Sequence, residues 1–332
     1  MKKWLYLLKS SLEEIKEKKK DAKYKDIKIG LTLSGGGAKG LAHIGVLKVL
    51  EKLGIRPDYI TGTSIGAIVG GLYSAGYTPD EIEEILTDKK WISFVQGGFV
   101  SDEIPLEKRI INKKYMVSVR FDNKFNFSFP QGIGSTQSIY FELKKLLEKK
   151  VNTQDFDKLP IPLRVIATDL NTGKAKAFSH GDLAKAITAS IAIPTIFEPV
   201  EIDSRLYVDG LVSRNFPVID AYNMGATIVI GSDVGNELKE KKDYNIISVL
   251  NQLVAIQSAQ GSKEQEKLAT ILITPDIYND SATDFENSKK FVKLGVKAAN
   301  EKITLLEKIS KYSNKRVKQP KKKKELKKLR TV

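Results

Sequence analysis

An α/β fold with a mainly parallel sheet is predicted for this chain of 332 residues. Three observations predict it. Short apolar segments alternate with longer segments of helical period along most of the sequence, as when crossover helices cover both faces of a parallel sheet. Two glycine-rich turns each follow a strand segment and open a helix segment. Finally, 332 residues at 41 % hydrophobic content suit one large domain or two small ones with a sizeable core, and exclude low complexity for the bulk of the chain. The absence of Cys excludes disulfides, thiolate metal sites and cysteine nucleophiles, and fits a reducing compartment.

The elements follow in order. Residues 27–33 (Ile-Lys-Ile-Gly-Leu-Thr-Leu) read as a strand ending in glycines. Leu41, Ile44, Val46, Leu47, Val49, Leu50 and Leu53 give 38–53 a helical period, closed by Gly54. A strand over 58–61 and a small-residue helix over 65–76 come next. The 21 uncharged residues Tyr59 to Pro79 contain five Gly, three Thr and two Ser, which break them into strand, turn and helix rather than a membrane span. Helix 79–87 begins with Pro79 and acids in its first turn. The irregular stretch 88–135, with Trp91, Phe94, Phe99, Phe121, Phe125, Phe127 and Phe129, reads as a lid or substrate-binding region, with a plain surface hairpin as the alternative. Further strands are predicted at 163–169, 174–178, 206–208, 226–232 and 270–275, and helices at 137–149, 182–190, 245–260 and 285–311. No internal repeat is present.

The net charge of +15 sits at the ends. Residues 1–28 carry ten Lys and five acids, and 311–332 carry eleven Lys/Arg and one Glu, so 29–310 are balanced at 34 of each sign. A nucleic-acid-binding domain spreads its charge over a folded face or groove, so no specific nucleic-acid partner is expected. The opening Met1-Lys2-Lys3-Trp4-Leu5-Tyr6-Leu7-Leu8 resembles a signal peptide only briefly, because Lys9 interrupts it and no small-residue cleavage site follows. On a helical wheel Trp4, Leu5, Leu8, Leu12 and Ile15 share one stripe, the pattern of an interfacial helix. The domain reading is a basic amphipathic segment over 1–26, a catalytic domain over 27–311 and a polybasic tail over 312–332. The expected location is cytoplasmic, peripheral at a membrane whose anionic surface the basic ends would meet.

Chemistry concentrates in the two glycine turns. Gly62-Thr63-Ser64-Ile65-Gly66 has the GxSxG form of a nucleophile elbow, in which a sharp strand-to-helix turn holds a serine hydroxyl clear of the backbone. Ser34-Gly35-Gly36-Gly37-Ala38-Lys39-Gly40 admits two functions. Its amides can point at an anion as an oxyanion hole. Gly35, Gly37 and Gly40 also satisfy the GxGxxG dinucleotide fingerprint, with Asp58 near the place of a ribose-binding acid. A serine nucleophile needs a base, and there are only two histidines. His43, between Ala42 and Ile44, reads as a packed helix residue. His180 in a polar turn, with Asp169 as its acid, would complete a Ser–acid–His order. The alternative base is Asp209 of Asp209-Gly210, at the end of a short strand, its basicity raised by partial burial. From the residues alone, hydrolase, oxidoreductase and non-catalytic lipid-binding module all stand.

The set Gly35-Gly36-Gly37-Ala38-Lys39-Gly40, Gly62-Thr63-Ser64-Ile65-Gly66, Ala189-Ser190-Ile191-Ala192-Ile193-Pro194, Asp209-Gly210 and Asn215-Phe216-Pro217-Val218 resembles the patatin-like phospholipase family. The likeness runs from about Ile27 to about Leu306. It implies a three-layer α/β/α sandwich and cleavage of fatty acyl esters of phospholipids or related lipids, of phospholipase A or lysophospholipase type, without metal or cofactor. It gives Ser64 the role of nucleophile, Asp209 that of base in a dyad without histidine, and Gly35, Gly36 and Gly37 the oxyanion hole, with Lys39 and Gly40 as further anion-stabilising candidates. Three positions depart from the family pattern. Lys39 stands where Arg is usual, and Leu211 and Arg214 stand where a small residue and an Asp are frequent.

Overall fold

The computed structural model describes residues 27–95, 120–121, 127–128, 136–194, 196–235, 246–277, 280–311 and 313. The two basic ends and most of the 88–135 stretch lie outside the described residues. Within them, the strands are β1 (Ile29–Leu33), β2 (Tyr59–Thr63), β3 (Arg120–Phe121), β4 (Phe127–Ser128), β5 (Leu163–Asp169), β6 (Ala175–Phe178), β7 (Val200–Ile202), β8 (Arg205–Asp209), β9 (Ile228–Ser232) and β10 (Ile271–Ile273). The α-helices are α1 (Ala42–Lys52), α2 (Ile65–Ser74), α3 (Pro79–Leu86), α4 (Lys89–Val95), α5 (Gln137–Glu148), α6 (Leu183–Ser190), α7 (Leu211–Arg214), α8 (Val218–Asn223), α9 (Ile246–Glu266), α10 (Ser288–Glu301) and α11 (Ile303–Ser310). No described helix is long and apolar enough to cross a membrane.

The main sheet runs β10-β9-β1-β2-β5-β8-β7, with β6 paired to β5. From β10 to β5 every pairing is parallel, whereas β6, β7 and β8 pair antiparallel. All five residues of β1 are buried, as in a central strand covered on both faces. Along β2 the side chains alternate: Ile60 lies under α2 at Gly70, and the Thr61 hydroxyl donates at 3.0 Å to the Pro217 carbonyl at the foot of α8. Each face has its own apolar core. The larger holds Leu33, Leu47, Ile60, Leu72, Leu163 and Ile187, and the smaller gathers Phe216, Val218, Ala221, Ala226, Val229 and Leu268. Two cores flanking one sheet make the expected α/β/α sandwich.

The register explains how distant residues meet. Val165 and Ile166 of β5 pair with β2 on one edge and β6 on the other, while Ala167 and Thr168 pair with β6 and β8. Because β6 occupies one edge throughout, β2 and β8 must share the opposite edge of β5, β2 on its first half and β8 on its second. They approach from opposite directions, so their C-terminal ends, Thr63 and Asp209, converge head to head.

Several elements differ from the sequence reading. The helix expected from residue 38 starts as a 3₁₀ turn, Gly37–Leu41, and becomes α-helical at Ala42. The stretch 285–311 divides into a 3₁₀ turn, Phe285–Asn287, then α10 and α11. Strand β7 and the short helices α7 and α8 were not anticipated, since three to six residues give too little periodicity. Helix α3 begins where the sequence places it, because Thr78 and Glu81 form a reciprocal capping box ahead of Pro79.

Candidate active site

Ser64 occupies the sharp turn between β2 and α2, at φ 54° and ψ −126°. Such a backbone is strained for a residue with a side chain, and the surroundings must enforce it. Two contacts do so. The Ser64 N–H donates to Ser190 Oγ at 2.8 Å, and the Ser190 hydroxyl in turn donates to the Ile166 carbonyl of β5. Behind the elbow Gly66 lies so close to β1 that a Cβ there would stand 2.4 Å from the Leu33 carbonyl oxygen and 2.6 Å from that of Ser34. The helix N-terminus behind Ser64 favours negative charge developing at its hydroxyl.

Ser64 Oγ donates to Asp209 Oδ2 at 2.7 Å. The other carboxylate oxygen, Oδ1, accepts from the Leu211 N–H at 2.8 Å, which fixes the plane of the carboxylate. The Asp209 backbone is held by its N–H to the Ala192 carbonyl at 2.9 Å and by the Thr168 hydroxyl donating to its own carbonyl at 2.9 Å. Asp209 is fully buried, and burial pushes its carboxyl up to about 7, against the smaller opposing pull of the Leu211 N–H and the Ser64 hydroxyl. A carboxylate so placed is a base matched to neutral pH.

The glycine loop runs beside this pair, but its donors are not equivalent. The Gly35 N–H is occupied by the Asn215 carbonyl at 3.2 Å and that of Ala38 by the Ala282 carbonyl at 2.7 Å, which removes Gly35 from the expected donor set. The N–H groups of Gly36 and Gly37 have no acceptor among the described residues. Gly37 takes φ +59°, and a Cβ on it would meet the Ala282 oxygen at 2.2 Å, so no larger residue fits. Gly40 faces the Ile65 side chain, 2.0 Å from where its Cβ would be, so the loop packs closely on the helix after Ser64 here. Lys39 is fully buried, and its charge opposes the burial that raises the Asp233 carboxyl.

The other sequence candidates fall elsewhere. Asp58 precedes β2, at the opposite end of the sheet from the glycine loop, and there accepts from the Ile29 N–H at 3.0 Å, so the dinucleotide reading loses its acid. His180 is exposed beside Ser179, and Asp169 is engaged by Arg205 and by the N–H groups of Asn171 and Thr172, so the Ser–acid–His scheme lacks its partners. His43 is buried as expected and hydrogen-bonded at both ring nitrogens; burial lowers its pKa to about 4. Arg214 pairs with Asp220 through bonds of 2.7 and 2.9 Å. Among the described residues no cluster of three His, Asp or Glu is placed to hold a metal ion.

Ser190 and Asn215 belong to motifs the sequence displayed, yet their work was not legible there. Ser190 braces the elbow, and Asn215 clamps Gly35 from both sides, accepting its N–H and donating from Nδ2 to its carbonyl at 3.3 Å. The available signal was a polar residue inside an otherwise apolar segment.

The fold and site are thus those of an α/β sandwich in which an elbow serine meets a buried aspartate beneath a glycine loop. The chain is a member of the patatin-like phospholipase family, whose family model matches residues 31–222. A patatin-like phospholipase domain-containing protein of Caenorhabditis elegans is 32 % identical over 213 residues, 63 % of this chain and 14 % of that protein. An uncharacterized NTE family protein of Mycobacterium tuberculosis is 31 % identical over 236 residues, covering 70 % of this chain and 57 % of its own length. Lysophospholipase NTE1 of Candida glabrata is 26 % identical over 208 residues, 63 % of this chain and 10 % of that protein. The chain thus spans between about one tenth and three fifths of these relatives. Among solved structures, VipD of Legionella pneumophila aligns over 86 % of this chain and 67 % of its own at 13 % identity and TM-score 0.45.

Proposed function

We propose that this protein is a serine lipid acyl hydrolase, of phospholipase A or lysophospholipase type, working through a Ser64–Asp209 dyad. The observation that carries the reading is the 2.7 Å hydrogen bond from the Ser64 hydroxyl to a fully buried carboxylate at a strained elbow. Family membership and the name of the lysophospholipase relative support lipid esters as substrates.

Asp209 takes the proton as Ser64 Oγ attacks the acyl carbonyl carbon. The resulting oxyanion accepts from the Gly36 and Gly37 amides, each donor worth on the order of 100–1,000-fold in rate. Collapse breaks the ester bond, the departing alcohol takes the proton back from Asp209, and an acyl-enzyme on Ser64 remains. Water, deprotonated by Asp209, then attacks the acyl group; collapse breaks the acyl–Oγ bond and releases the fatty acid, and Ser64 Oγ takes the proton back from Asp209. The chain's own contribution is orientation, a base of suitable strength and two preset donors. Lys39 and Gly40 act on this reading through the loop's placement.

The test is covalent. A fluorophosphonate should label one residue, identified by mass spectrometry as Ser64, and Ser64→Ala should abolish both labelling and ester hydrolysis. Label on another residue, or full activity in Ser64→Ala, removes the dyad. A panel of phospholipid, lysophospholipid and neutral-lipid esters then assigns the substrate class. The basic ends are proposed to hold the enzyme on an anionic membrane surface, where its substrate lies.

A further inference from the structure

We propose that His43 is a positioning residue for the oxyanion loop, fixing the Ser34–Gly35 peptide so that the Gly36 and Gly37 amides face the carbonyl attacked by Ser64. The inference rests on the hydrolase reading above and deepens it.

His43 lies on the first turn of α1 and is fully buried between Ala42 and Ile44. Its Nε2 is 2.9 Å from the Ser34 carbonyl oxygen and its Nδ1 2.8 Å from Ser232 Oγ. A carbonyl can only accept, so Nε2 carries the proton, and in the neutral ring Nδ1 accepts from the Ser232 hydroxyl. One imidazole therefore ties the residue after β1 to the last residue of the neighbouring β9. Two further bonds close this corner, from the Ser34 N–H to the Ser232 carbonyl at 3.1 Å and from the Val234 N–H to Ser34 Oγ at 2.8 Å.

The Ser34 carbonyl and the Gly35 N–H are the two ends of one planar peptide unit. His43 holds the carbonyl end and the Asn215 carbonyl holds the N–H end at 3.2 Å. With both ends fixed, the plane from which Gly36 departs has a single orientation. The same Ser34 oxygen lies against Gly66, the second residue of the helix that follows Ser64. His43 thus fixes one of the atoms through which the loop seats on the nucleophile's helix. Packing alone does not call for a histidine here. An apolar ring would fill the space without the cost of burying two polar nitrogens, which is offset only by both hydrogen bonds.

The experiment measures hydrolysis of a soluble p-nitrophenyl fatty acyl ester by the full chain and by His43→Phe, His43→Gln and Ser232→Ala. Circular dichroism and thermal melting identify which variants are folded. His43→Phe should lower kcat on the order of 10–100-fold with KM nearly unchanged, the loss expected when reacting groups shift by about 1 Å. His43→Gln, which can still donate to the Ser34 carbonyl, should recover most of it. Ser232→Ala, which keeps that donor but frees the ring, should show a smaller fall. In the wild-type chain, long-range ¹⁵N–¹H spectra at pH 7 should show His43 as a single Nε2–H tautomer.

A folded His43→Phe with wild-type kcat overturns the proposal, and so does an Nδ1–H tautomer. Where His43→Phe does not fold, Ser232→Ala and the tautomer decide, and wild-type kcat in Ser232→Ala overturns it. Failure of the hydrolase reading would look different: the wild-type chain would then neither turn over ester nor take fluorophosphonate on Ser64.

Discussion

Asp209 carries opposite demands at the scale of one residue. Burial makes its charge costly and raises its pKa from 3.8 to about 7, which in the proposed dyad would suit it to act as the base. Two outcomes follow. Ester hydrolysis by the wild-type chain should rise with pH along a limb of apparent pKa near 7, because the base must be ionised to accept the Ser64 proton; kcat/KM against pH measures this, and a flat profile from pH 5 to 8 would remove Asp209 as the base. For stability the sign is reversed. Between pH 4 and 7 the folded chain holds a proton that the unfolded chain has released, so this group's contribution falls as pH rises through that window. Asp209→Asn keeps the shape and the Leu211 N–H contact without the buried charge. It should lose activity by about 1,000-fold or more while gaining on the order of 2 kcal/mol at pH 8, read from urea unfolding. His43 acts in the other direction. Its folded pKa of about 4 lies below the ordinary 6.5, so its contribution is complete above pH 6.5 and is lost as pH falls toward 4.

Elements decide whether these residues meet, and here the sequence speaks unevenly. The elbow and the glycine loop were legible because each places several special residues within seven positions between a strand and a helix. The meeting of Ser64 with Asp209 was not legible from spacing. It depends on β2 and β8 sharing one edge of β5, a register visible only in the pairing; the residues alone offered Asp209 as one of two candidate bases, and the family resemblance favoured it. The unequal donors of the glycine loop were hidden for a similar reason, since Asn215 and Ala282 reach Gly35 and Ala38 from far along the chain. A helix crossing carries one further consequence. Helices α1 and α10 touch backbone to backbone, and a Cβ on Gly295 would stand 1.9 Å from the Ala42 carbonyl oxygen. Gly295→Val should force the pair apart and cost roughly 2–3 kcal/mol. Because α10 follows the segment whose Ala282 carbonyl holds the Ala38 N–H, activity should fall more steeply than stability accounts for. Denaturant unfolding and kcat on a soluble ester measure the two, and an unchanged unfolding midpoint would show that the helices can separate without cost.

For the whole molecule the uneven charge would govern how the protein meets the insoluble substrate proposed for it. Residues 29–310 are electrically balanced, while 315–332 alone carry ten Lys/Arg and one Glu. A cation held near an anionic bilayer gains about 1 kcal/mol, and the attraction decays over about 10 Å at 0.1 M salt. On the proposed reading the tail would concentrate the protein at a charged surface; the last described contact of the chain is the Ser313 hydroxyl accepting from the Arg56 N–H at 3.0 Å. Ending the chain after 314 preserves that contact. The shortened protein should bind vesicles containing phosphatidylserine at least about tenfold more weakly at 50 mM salt, the difference shrinking as salt rises. On purely zwitterionic vesicles the two forms should bind alike, and turnover of a soluble ester should be unaffected, because the described contacts of the Ser64 site all lie within residues 27–313. Co-sedimentation across a salt series separates electrostatic recruitment from apolar insertion. Equal binding of both forms to the charged vesicles would move the membrane contact to the Trp4–Ile15 stripe, whose affinity should depend little on salt.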